Sequence, residues 1–107
     1  MEGKIEVMYS QNEAYEKYEY PLEVVIELRD KKVRFKEKSS KQMVCEYEIN
    51  EEFPQVDFIR KSFNSILFTC NQNESMKLSL TNNFNRDLFA LILRSIPSRI
   101  SLPNSME

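Results

Sequence analysis

Along the first three quarters of the chain, apolar and polar positions alternate with the period of two expected of half-buried strands. Ile5, Val7 and Tyr9 alternate with charged or small neighbours, and Leu22–Leu28 forms a second such run. The polar turn Arg29-Asp30-Lys31-Lys32 leads into Val33 and Phe35, facing inward, with Arg34, Lys36 and Lys38 outward, so the two runs predict a hairpin. Met43–Ile49 places Cys45, Tyr47 and Ile49 on one face and Glu46 and Glu48 on the other. Val56–Arg60 and Asn64–Cys70 read as two further short strands. Met76–Thr81 is the last, with Met76, Leu78 and Leu80 inward. Gln11–Pro21, Asn50–Pro54 and Asn71–Ser75 are polar interruptions.

After Thr81 the period changes. Phe84, Leu88, Leu91, Ile92 and Ile96 recur at helical spacing, and Phe89 and Leu93 widen the stripe. Asn82 or Asn83 is the expected N-cap, Arg94 lies in the last turn, and Pro97 ends the run. The only glycine is Gly3, so asparagine is expected to supply the left-handed turn positions.

Seven short strands followed by one amphipathic helix resemble, over residues 4–97, the pleckstrin-homology (PH) superfold. The resemblance implies a mainly β domain of about seven antiparallel strands in two near-orthogonal sheets, capped by the helix. The tryptophan carried by the capping helix of many PH domains is absent; Phe84, Phe89 and Leu93 are the bulky residues there. The segment FIRKSFNSILFTCNQNESMKLSL (Phe58–Leu80) is similar to paired central strands in the PH domain of meiotic accessory proteins that promote double-strand breaks. That likeness implies a nuclear, chromosome-associated scaffold.

The chain has 107 residues, 41% of them hydrophobic, enough for one modest core. A single domain is expected over residues 1–99, with 100–107 a flexible tail, and the two ends would suit a domain within a longer chain. Histidine is absent, which removes the side chain best suited to acid-base work near neutrality and with it the usual triads. Two cysteines 25 positions apart make a poor zinc site, and a lone Gly3 cannot build a phosphate-cradling loop. Neither an enzymatic activity nor a cofactor or metal is expected. Cys45 and Cys70 lie in apolar runs and read as free thiols, and no secretory leader is evident at MEGKIEVMYS. An intracellular location, cytoplasmic or nuclear, is the expectation.

Charge is segregated. Although the whole chain carries 15 basic and 17 acidic residues, Arg29, Lys31, Lys32, Arg34, Lys36, Lys38 and Lys41 crowd one predicted hairpin with only Asp30 and Glu37 among them. This patch is the candidate anion or partner site. Phosphoinositide or other anionic lipid headgroups and nucleic acid are the alternatives to a protein partner. Glu13, Glu16, Glu19, Glu23 and Glu27 occupy the stretch that holds phosphates in lipid-binding PH domains and would repel them, so that pocket is not carried over. Phe35, the patch's aromatic residue, points inward, which disfavours base stacking. Tyr15, Tyr18 and Tyr20, interleaved with glutamates, form a candidate interface loop. Together these features predict a non-enzymatic interaction module of scaffold or adaptor type.

Overall fold

The computed structural model describes residues 1–10 and 21–96; Tyr15, Tyr18, Tyr20, Pro97 and the expected tail lie outside the described residues. Seven strands and one helix follow in chain order: β1 (Glu2–Ser10), β2 (Leu22–Arg29), β3 (Lys32–Glu37), β4 (Met43–Glu48), β5 (Gln55–Phe58), β6 (Ser65–Thr69), β7 (Glu74–Leu80) and α1 (Asn83–Arg94). All neighbours pair antiparallel in one hydrogen-bonded sheet of order β4-β3-β2-β1-β7-β6-β5. The mainly β architecture with a C-terminal helix is as expected.

The sheet is not flat. Phe35 on β3 and Phe68 on β6 are separated by four strand spacings, about 19 Å in a planar sheet. Their rings meet edge to face with centroids 5.4 Å apart. Tyr47 of β4, one strand farther away, comes within 6.1 Å of the same Phe68 ring. The sheet therefore curls until its inner face meets itself. Two features permit this. Glu6 is an extra residue between the Ile5–Leu78 and Val7–Lys77 pairs, a bulge that raises local twist. Gly3 lets β1 pass close to β7, because a β-carbon there would sit 2.7 Å from the Ser79 carbonyl oxygen.

Curling creates one core from both halves. Val24, Ile26, Val33 and Phe35 from one side meet Ile66, Phe68, Met76 and Leu78 from the other, with Ile5 between them. Phe89 of α1 stacks on Phe68 with centroids 6.1 Å apart, so the helix closes an open end of the curled sheet. Asn82 caps the helix, its side chain accepting from the Asn85 amide at 2.8 Å, and Ser95 ends it.

The turns depart from expectation. Among the described residues the left-handed positions belong to Asp30 (φ 56°), Lys31 (φ 58°) and Lys41 (φ 67°), not to asparagine. Two successive positive φ values between paired Arg29 and Lys32 fit a two-residue hairpin turn, whose twist suits the strands it joins. Asparagines hold turns through their side chains instead. Asn50 Oδ1 accepts from the Glu52 and Phe53 amides, and Asn71 Oδ1 from those of Asn73 and Glu74.

Candidate functional site

The basic hairpin forms as expected, with Val33 and Phe35 buried and Lys32, Arg34 and Lys36 on the outer face. What flanks it changes its character. β3 lies between β2 and β4, and both neighbours present carboxylates to that face. Arg34 Nε donates to Glu46, and Lys32 lies 3.7 Å from the same carboxylate. Lys36 Nζ is 3.2 Å from Glu27, and Lys38 Nζ is 3.1 Å from Glu2 and 4.0 Å from Glu23. Glu48 stands directly opposite Lys32 in the β3–β4 register. The cations are thus interleaved with anions rather than gathered into one positive field. The hydrogen bond from Arg34 holds the Glu46 carboxyl below its usual range and raises Arg34 in return. The bond to Glu2 likewise raises Lys38.

Arg29 faces Asp30 at 3.9 Å, with both side chains about three-quarters exposed. Lys31 and Lys41 form no ion pair among the described residues, but they sit at opposite ends of β3. The structure brings five of the seven predicted patch residues into ion pairs and leaves two at separate turns.

On the other side of β1, the outer face holds a groove of about 630 Å³ above Gly3, bordered by Glu2, Lys4, Glu6, Glu23, Lys38 and Lys77. Across its floor runs a short polar chain: Ser65 donates to Ser79 at 2.7 Å, and Ser79 donates to the Glu6 carboxylate, which also faces Lys77. It ties β6, β7 and β1 together where the bulge disturbs their pairing. Among the described residues no cluster of acidic or cysteine side chains has the makings of a metal site. Cys45 and Cys70 are not joined in a disulfide; Cys70 is buried, and burial pushes its thiol up to about 12. Burial likewise raises the Tyr47 phenol, which interacts with both thiols.

The helix holds the largest surprise. The expected stripe runs through Phe84, Leu88, Leu91, Ile92 and Ile96, with Phe89 and Leu93 widening it. In the fold Phe89, Ala90 and Leu93 are the buried face, while Phe84 is 69% and Leu91 61% exposed. Phe84 and Leu91 therefore form an outward ridge. Leu88, half-buried, lies between them, and Ile92 is partly exposed on the flank toward the β2–β3 turn. The helix is apolar on both sides, yet one curled sheet can cover only one of them.

Near the helix start, the β5–β6 loop is held against α1. Arg86 stacks over the Phe58 ring at 4.3 Å and donates to the Ser62 carbonyl at 3.2 Å. Asn64 Nδ2 donates to the Leu80 carbonyl at 2.8 Å. Phe63, between those two anchors, is exposed. Phe58, Phe63 and Phe84 are each exposed, and Arg86 ties the β5–β6 loop to the first turn of α1. Sequence reasoning missed this surface, although the signal was present: Phe84, Leu88 and Leu91 lie on one side of α1, and Phe89, Ala90 and Leu93 on the other. Among the described residues no helix is long and apolar enough to cross a membrane. No protein-family model matches the chain, and no curated protein matches it.

Proposed function

We propose that the protein is a non-enzymatic protein-interaction module of PH-like fold, acting as a scaffold or adaptor, whose docking surface is the outward face of α1. The strand order and the terminal helix support the fold assignment. The two halves, β1–β4 and β5–β7, facing each other across Phe35 and Phe68, correspond on this reading to the two near-orthogonal sheets. The observation that carries the function is the exposure of Phe84 and Leu91 on a helix whose other face already fills the core. Large exposed aromatic and aliphatic side chains on a rigid element are what a partner buries.

The ion-paired hairpin weighs against lipid or nucleic acid, because an incoming phosphate would have to displace Glu2, Glu27 and Glu46 from their lysine and arginine partners. A chromosome-associated setting rests on the Phe58–Leu80 likeness, which spans β5 to β7 here. The test sets wild type beside a Phe84→Asp/Leu91→Asp variant and an Arg34/Lys36/Lys38/Lys41→Glu variant. Proteins retained by the immobilised wild type should be lost with the helix variant and kept with the hairpin variant, and no form should pellet with phosphoinositide vesicles. Phosphoinositide-dependent pelleting abolished in the hairpin variant, or retention indifferent to the helix variant, would overturn the proposal.

A further inference from the structure

Of the helix's own residues, those charged and beside the outward stripe of α1 lie on one flank only. Asp87 and Arg94 are seven residues apart, two helical turns, and both are exposed. Arg94 borders the groove between α1 and β5, and Asp87 is held 3.0 Å from Arg86, which lies over Phe58 at the end of β5. The opposite flank carries Ile92 and Ile96 and runs beside the β2–β3 turn, whose Arg29, Asp30 and Lys31 border the same groove. Along the helix, then, the face reads anion, apolar stripe, cation, with both charges on the same side.

That pattern is complementary to itself in one orientation. When two copies of a helix pack face to face and antiparallel, a two-fold axis perpendicular to them brings each flank against the same flank of the other copy. A parallel pair would set the charged flank against the flank of Ile92 and Ile96. In the antiparallel pair, Asp87 reaches the level of Arg94 of the second copy, and Arg94 that of its Asp87. The register that aligns these charges centres the axis between Ala90 and Leu91. Leu91 then meets its own copy, Leu88 lies beside Ile92, and Phe84 reaches past the last turn of the opposite helix.

Resting on the docking role assigned to α1, we infer that the partner covering this face is a second copy of the same chain, joined by antiparallel pairing of the two α1 helices through Leu88, Leu91 and Ile92 and by two reciprocal Asp87–Arg94 ion pairs. Isologous contacts of this kind are the commonest way a chain closes on itself. A 12-residue helix is about 18 Å long, so the contact sits at the low end of specific interfaces and the association is weak and concentration-dependent.

Sedimentation equilibrium across a dilution series of the purified chain tests this. Wild type should pass from monomer to dimer, and Phe84→Asp/Leu91→Asp should stay monomeric. Asp87→Arg alone and Arg94→Asp alone should each weaken self-association about tenfold, since two attractive pairs become repulsive. An equimolar mixture of those two variants should recover near-wild-type dimer, because each repulsion is relieved across the axis. All four positions substituted are exposed, and unchanged urea midpoints measured on dilute protein would show that each variant folds. Wild type that remains monomeric throughout overturns the pairing, as does a mixture no stronger than either variant alone. If wild type is monomeric while Phe84→Asp/Leu91→Asp still loses its retained proteins, self-pairing fails and the module reading stands. A dimer broken by a variant that keeps every retained protein reverses that conclusion.

Discussion

The curl of the sheet makes a quantitative claim about two residues. Phe35 and Phe68 belong to strands that a planar sheet would hold about 19 Å apart, a distance at which mutational effects add within about 0.5 kcal/mol. In the structure their rings are in edge-to-face contact at 5.4 Å, both fully buried. Replacing each phenylalanine by leucine, singly and together, isolates that contact. Each single change should cost about 1–2 kcal/mol, less than the roughly 3–5 expected of Phe→Ala, because leucine refills part of the cavity. The edge-to-face pair adds about 0.5–1.5 kcal/mol beyond buried area, so the double variant should lose about 1 kcal/mol less than the two singles summed. The contacts of Phe68 with Tyr47 and Phe89 are lost in both arms of the cycle and cancel. Urea unfolding followed by circular dichroism resolves this, since 1 kcal/mol is about 0.5 M in midpoint for an m-value near 2 kcal/mol/M. A coupling indistinguishable from zero, with m unchanged, would refute the curled sheet.

Four other outcomes are expected. Gly3→Ala should cost a net of about 1–2 kcal/mol, because the new methyl meets a backbone oxygen and forces β1 from β7, while the loss of unfolded-chain freedom recovers only about 0.4–1; an unshifted urea midpoint would rule out the close approach. Lys31→Gly should stabilise by about 0.5–1 kcal/mol by removing a β-carbon from a left-handed turn position, and thermal melting that shows a loss would contradict the turn assignment. Because Arg34 lowers the folded-state pKa of Glu46 from its ordinary 4.5, the contribution of Glu46 to stability is complete above that pH and fades as pH falls through the depressed value. Glu46→Gln should therefore destabilise at neutral pH and flatten the acid limb of a pH–stability curve; an unchanged limb would show that the pair does not form in solution. Cys70, 2% exposed with its thiol raised to about 12, should resist iodoacetamide in the native protein at mildly alkaline pH and react once unfolded, and peptide mapping that finds fast native labelling would place it outside the core.

Alternation alone identified the strands and most of the inward residues: Ile5, Val33, Phe35, Met76, Leu78 and Leu80 are all buried, as the period of two required. That information is local, since a strand's two faces are set by its own pleat. The Asn82 cap was legible for the same reason, lying within one turn of the amide it satisfies. The basic patch was legible only as composition. Its neutralisation depends on Glu2, Glu27 and Glu46, which reach β3 from three other strands through sheet pairing, and Arg34 and Glu46 are 12 positions apart. Which side of α1 faces the core was not legible from the stripe Phe84, Leu88, Leu91, Ile92 and Ile96, because Phe89, Ala90 and Leu93 offer a second apolar side. The curled sheet decided it by offering Phe68 to Phe89, leaving Phe84 and Leu91 in solvent. A period records which residues avoid water, but only the curled sheet sets how much apolar surface can be covered, and here α1 carries more than the sheet can take.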